Sequence, residues 1–230
     1  VENAEPLVDR SGDPLPEGAL SRIGTLRFRA ARFGATEDVV GLAKRGELAS
    51  VHGMPELILW ERGTGKKLHA LEAPRGSQWI AASDDGNMVV VAGTSDVWAW
   101  DLAESPPKPK WKWKGDVPAN STLTALATAP GGGTVAVSDS GGHTWVLDGK
   151  TGELRVALDG ISRTLAYAGK DRLVAASGPD AEAARVVIWD LATQKIQHAI
   201  DAPPGETVAD VAVAPDGKSL AWLGTKGQVR

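Results

Sequence analysis

"RVVIWDLATQKIQHAID", residues 185–201, decides the fold. An apolar run rich in β-branched residues ends in Trp189-Asp190, a polar turn follows, and a second strand-like run closes the stretch. Three other stretches share this layout: "ELILWERGTGKKLHALEAP" from Glu56, "DVWAWDLAESPPKPKWKWKGD" from Asp96 and "HTWVLDGKTGELRVALDG" from His143. The anchors Trp60, Trp100, Leu147 and Trp189 are spaced 40, 47 and 42 residues apart, and the last three are followed by Asp101, Asp148 and Asp190. A repeat of this length is that of a four-stranded propeller blade.

Each of the last three anchors follows a second pair of apolar runs: "WIAASDDGNMVVVAG", "LTALATAPGGGTVAVSD" and "RTLAYAGKDRLVAASG". A further copy, "VADVAVAPDGKSLAWLG", opens at Val208. The turns at 84–87, 131–133, 169–171 and 216–218 carry the glycine, mostly as Asp-Gly or Gly-Gly, that tight hairpins need. No window keeps a helical period, because glycine or proline interrupts each one. The expected fold is all-β: a propeller with four full four-stranded blades, at about 38–74, 78–115, 123–160 and 163–202, and part of a fifth at 207–230. "GTLRFRA" at 24–30 reads as a strand that closes the last blade, and 1–23, rich in proline, glycine and acids, as an extended lead-in.

These residues resemble the WD-repeat (WD40-like) β-propeller family in its bacterial form. "VWAWDL" and "VVIWDL" are similar to its strand endings, "VAVAPDGKSLAW" to its strand-turn-strand opening, and "TGKKL" and "TGELR" to its turns. The resemblance covers 24–230, with degenerate repeats: Leu147-Asp148 and Trp60-Glu61 replace Trp-Asp. No repeat has the Gly-His pair ahead of its first strand, so the family's His-Ser-Asp-Trp hydrogen-bond network does not carry over.

Composition narrows the chemistry. The chain has 230 residues, no cysteine and a net charge of −4, which rules out disulfides and thiolate metal sites and gives no electrostatic footprint for nucleic acid or an anionic membrane. No apolar run approaches the roughly 20 residues of a membrane span. Compartment is open: the chain starts at Val1, as it would after leader removal or inside a larger protein. It ends at Arg230, early in the third strand of the fifth repeat, as truncation, natural termination or cleavage would leave it. Either five blades close a ring here, or the remaining blades of a ring of about seven lie on other sequence.

Candidate sites are few. In "PPKPKWKWKG", Lys108, Lys110, Lys112 and Lys114 fall on one strand parity and Trp111 and Trp113 on the other. Four ammonium groups on one face form a candidate surface patch, although indoles on the opposite face fit an outer strand packed on the next blade better than a nucleic-acid platform. "SDSGGHTW", 138–145, brings Ser, Asp and His close in sequence, as a hairpin turn does without any triad. "GTGKK", 63–67, lacks the hydroxyl residue and the helix of a phosphate loop. The four histidines share no ligand spacing. No catalytic, cofactor or metal residue is expected.

What the resemblance implies is a non-catalytic scaffold for a protein partner, which could be the polypeptide carrying the remaining blades. The alternatives are a sensor or regulatory domain of a multidomain enzyme, or a relative of quinone-cofactor dehydrogenases, whose calcium site and stacked Trp are not identifiable. The turns at 83–87, 129–133 and 216–218 are expected at the end of the ring opposite the "TGK" turns.

Overall fold

The computed structural model describes residues 36–159, 163–176 and 184–230, together with positions 8, 14, 15, 17, 19 and 28. The described residues form four four-stranded antiparallel sheets and a two-stranded one, each a meander of consecutive strands. Sheet 1 holds β1 (Thr36–Leu42), β2 (Glu47–His52), β3 (Glu56–Glu61) and β4 (Lys67–Glu72). Sheet 2 holds β5 (Trp79–Ala82), β6 (Met88–Ala92), β7 (Asp96–Asp101) and β8 (Lys108–Lys114). Sheet 3 holds β9 (Leu123–Thr128), β10 (Thr134–Asp139), β11 (His143–Asp148) and β12 (Leu154–Asp159). Sheet 4 holds β13 (Thr164–Tyr167), β14 (Arg172–Ala176), β15 (Arg185–Asp190) and β16 (Lys195–Asp201), and sheet 5 holds β17 (Val208–Val213) and β18 (Leu220–Gly224).

The sheets stack in sequence order. Their first strands pack on one another in the succession β1, β5, β9, β13, β17, which places them innermost and leaves β4, β8, β12 and β16 outside. Four seams of buried side chains hold the stack, one between each pair of neighbouring sheets. Val89 and Val91 face back to sheet 1, while Met88, Val90 and Ala92 face on to sheet 3. Alternate residues of one strand thus feed two seams, so the middle strands lack the polar alternation of a half-solvated sheet. This is a β-propeller, as the repeat predicts.

The fifth sheet gains a third segment from the chain's last residues. Trp222 and Arg230 exchange both backbone hydrogen bonds at 2.9 and 3.0 Å, and the Gly224 N–H donates to Gln228 O at 2.9 Å. The strand expected over 24–30 lies outside the described residues except for Phe28. That residue donates its N–H to Gly65 O at 2.9 Å and sets its ring 5.9 Å from Trp60, so its contacts are with sheet 1.

Candidate functional site

The anchor residues mark a structural event. In sheets 1 to 4 the third and fourth strands lose register just before the anchor: between Leu59 and Trp60, Ala99 and Trp100, Val146 and Leu147, and Ile188 and Trp189. Each is a β-bulge with one extra residue in the outer strand: Leu68, Lys110, Arg155 and Gln197. Trp60, Trp100 and Leu147 are buried at this kink, and Trp189 is half-buried.

The acid after the anchor serves both sides of the kink. Asp148 Oδ1 accepts the backbone N–H groups of Lys150 and Thr151 at 2.7 and 2.9 Å, and its Oδ2 accepts the Arg155 guanidinium, with Nε at 2.9 Å. Asp190 Oδ1 accepts the Thr193 N–H at 2.8 Å while Oδ2 accepts Gln197 Nε2 at 2.7 Å. Asp101 takes the Ala103 N–H at 2.9 Å and faces Lys110 Nζ at 3.7 Å. A carboxylate suits this place because it can accept from the turn backbone and from the bulged residue at once. The Thr151 N–H, with the Arg155 guanidinium adding to it against partial burial, brings the Asp148 pKa down to about 2.

The bulge also redraws the lysine patch. Because Lys110 is the extra residue, Lys112 and Lys114 pair with Trp98 and Asp96, whereas Lys108 pairs with Asp101 on the face that carries Trp111 and Trp113. The four lysines therefore do not share one face, as strict alternation had predicted. Three of them are also engaged: Lys108 pairs with Glu104, Lys110 with Asp101, and Lys112 Nζ lies 3.4 Å over the Trp98 ring. The indoles pack on sheet 3, as expected, with Trp111 Nε1 donating to Gly149 O at 3.0 Å and Trp113 set 5.5 Å from Trp145.

The turns at 83–87 and 129–133 lie on the same end as the "TGK"-type turns, not opposite them. In a meander the first and third turns of a sheet share an end, and here they are bonded: Arg62 N–H to Gly46 O, Leu102 to Asn87, Gly149 to Gly133 and Leu191 to Asp171, all at 2.8 to 3.0 Å. Neighbouring sheets are tied at this end too. Arg45 Nη1 reaches Leu102 O at 2.7 Å, the Gly131 N–H reaches Asp84 Oδ1 at 2.7 Å, and Arg172 Nη2 reaches Gly217 O at 3.0 Å.

Two polar clusters complete the inventory. Trp60 Nε1 donates to Ser50 Oγ at 2.8 Å; Ser50 Oγ meets His52 Nε2 at 2.9 Å, and His52 Nδ1 meets Thr36 Oγ1 at 3.3 Å. A Trp-Ser-His-Thr chain thus forms in sheet 1 without a Gly-His pair, its histidine supplied by β2. Sequence reading missed it because Ser50 and Trp60 meet diagonally across β2 and β3, a neighbourhood that register alone defines. Burial lowers the His52 pKa, with Glu56 opposing and Lys67 adding to the shift.

At the β10–β11 turn, Asp139 is wholly buried and accepts Ser121 Oγ at 2.8 Å, the His143 N–H at 2.8 Å and the Gly141 N–H at 3.0 Å. His143 Nδ1 lies 3.0 Å from Asp139 Oδ2. Burial pushes the Asp139 carboxyl up, but the His143 backbone and ring and the Ser121 hydroxyl outweigh it and hold it below the usual range. Ser121 donates to the carboxylate and not to an imidazole nitrogen, so the Ser-His contact of a Ser-His-Asp triad is not formed at this turn. Residues 63–66 lie in the β3–β4 turn and Lys67 opens β4, with the Thr64 hydroxyl bonded to Glu61. Among the described residues no three His, Asp or Glu side chains converge as a metal site.

No family model matches the chain, and no curated protein matches it either. Among solved structures it is similar to a chain of the mitotic checkpoint complex, with a TM-score of 0.70 at 13% identity over 83% of this chain and 57% of that one. It is also similar to Kuenenia stuttgartiensis hydrazine synthase, with a TM-score of 0.70 at 17% identity over 91% of this chain and 59% of that one. The chain thus spans less than two thirds of the length of either, and at these identities the likeness is one of fold.

Proposed function

We propose that the chain is a non-catalytic propeller scaffold that engages protein, and that it works as part of a larger or split propeller assembly. One observation carries this reading. Leu71, Trp113, Leu158 and Ile200 hold equivalent places in β4, β8, β12 and β16, opposite Leu57, Val97, Thr144 and Val186. Leu158 is 5% exposed, and Leu71 and Trp113 are half-buried against the following sheet; Ile200 is 41% exposed. Ile196 on the same outer strand is 47% exposed, and every residue of β16 is exposed.

The cause is geometric. An outer strand is covered by the outer half of the next sheet, and the described part of sheet 5 ends with the Gln228–Arg230 segment. The apolar row of β16 and the open backbone edge of 228–230 therefore fit one kind of occupant: further β-strands that add to sheet 5, from this polypeptide or another. The likeness to a chain of the mitotic checkpoint complex, a multiprotein assembly, agrees with a role in binding protein.

Native mass measured beside denaturing intact mass tests the proposal. A native species heavier than 24.0 kDa that resolves into this chain and a partner is expected, with Ile200→Glu weakening its retention. A monomer of 24.0 kDa that stays monomeric when concentrated, with Ile200→Glu behaving as wild type, would overturn it.

A further inference from the structure

At the end of the stack opposite the paired turns, the seam between sheets 1 and 2 opens into a cleft of about 480 Å³, within the range of small-molecule sites. Its apolar wall is the Trp98 ring of β7, with Pro55 and Ala73 of sheet 1 beside it. The next seam explains why there is room. There Trp145, the counterpart of Trp98 in sheet 3, is buried, with Trp113 of β8 set 5.5 Å away. In sheet 1 the place of Trp113 is held by Leu71, a much smaller side chain. Trp98 is accordingly only half-buried and stands outside the core of its seam.

The charge around this ring departs from the repeat as well. The outer-strand residue paired with the Trp98 position is alanine in the other three full sheets, Ala70, Ala157 and Ala199, but Lys112 in sheet 2. Two residues on, those sheets carry an acid, Glu72, Asp159 and Asp201, where sheet 2 carries Lys114. Arg75, in the connection from β4 to β5, lines the cleft together with Lys114. Among the described residues neither the Arg75 guanidinium nor the Lys114 ammonium has an ion pair or a hydrogen bond. The acids of the rim are Glu72 and Asp96, so with Lys112 the cations outnumber them by one.

Lys112 also decides what the ring accepts. Its Nζ lies 3.4 Å over Trp98, so the negative π-cloud is already engaged by one cation, and a second would meet the charge of the first. An aromatic ring is favoured instead, offset or tilted on the indole, as Trp113 is on Trp145.

We propose that this cleft binds a small aromatic monocarboxylate. Its ring takes against Trp98 the place that Trp113 takes against Trp145, and its carboxylate accepts charge-assisted hydrogen bonds from Arg75 and Lys114.

Labelling with 5-fluorotryptophan gives the readout, the signal missing from Trp98→Phe being that of Trp98. Indole-3-acetate, indole-3-acetamide and tryptamine share a ring and differ in the charge of the head. Indole-3-acetate is expected to move the Trp98 signal saturably, with the amide about tenfold weaker and tryptamine weaker still. An exposed charge contact is worth about threefold, so Arg75→Gln and Lys114→Gln should each cost about threefold for the acid and nothing for the amide. Both are surface substitutions that should leave the fold unchanged. Leu71→Trp, which supplies the indole that the next seam has, should abolish the response. The amide binding as tightly as the acid, or the acid binding the double Gln variant as it binds wild type, overturns the assignment of the head. No saturable movement of the Trp98 signal with any probe, or a response that survives Leu71→Trp, overturns the site.

Discussion

Arg155, the extra residue of the β12 bulge, folds its guanidinium back onto Asp148, the acid that caps the turn preceding it. Bulge and turn are one unit, closed by a single carboxylate. Asp148→Asn should therefore cost more than Arg155→Ala, because the first weakens two turn hydrogen bonds as well as the pairing. About 1–2 kcal/mol against about 0.5–1 kcal/mol is expected from urea midpoints, the second value being small because Arg155 is largely exposed. Equal losses would show that the turn does not depend on the acid.

The pH dependence of that unit follows from its sign. The Asp148 pKa is depressed to about 2, so its stabilisation is complete above the usual value of 3.8 and is lost as pH falls towards 2. Asp139 has the same sign. Asp148→Asn should flatten the acid limb of the stability curve below pH ~4 and leave the neutral region parallel to wild type.

His52 places a second acid limb higher. Its pKa is lowered from 6.5, chiefly by burial, so the neutral ring stabilises the fold above that value, and stability falls on acidification through the shifted pKa. Ser50→Ala strips partners from both the Trp60 indole and the His52 ring, and a loss of about 2–3 kcal/mol is expected. His52→Gln should remove the slope that sets in as pH falls below about 6.5. A variant that keeps that slope would place its origin elsewhere.

Gly152 tests the seam between sheets 2 and 3. Its φ is +76°, and a Cβ there would come within 2.8 Å of the Trp111 ring. Gly152→Ala combines backbone strain with displacement of an indole that donates to Gly149 O. A loss of about 2 kcal/mol or more is expected, with a change in near-ultraviolet circular dichroism, whereas Gly63→Ala, with open space around it and an ordinary φ, should do neither.

Much of this molecule is legible in its sequence. Trp189-Asp190 and its counterparts locate the third strands, and Asp-Gly or Gly-Gly pairs locate the first turns. The bulges are not legible under a strict two-residue pleat, which is why Lys108 was expected beside Lys112 and falls on the opposite face. A signal existed: a long polar residue, Arg155 or Gln197, stands seven places after Asp148 and Asp190. The Trp60, Ser50 and His52 chain left no such trace, because it depends on which residues β2 and β3 place diagonally.

The meander has a mechanical corollary. Among the described residues every backbone ladder joins strands adjacent in the sequence, and no backbone ladder spans two sheets. Tension applied between the ends would thus load the four side-chain seams in series and peel each sheet from its edge one ladder rung at a time. Such a body yields in small successive steps under force, and its toughness resides in the seams.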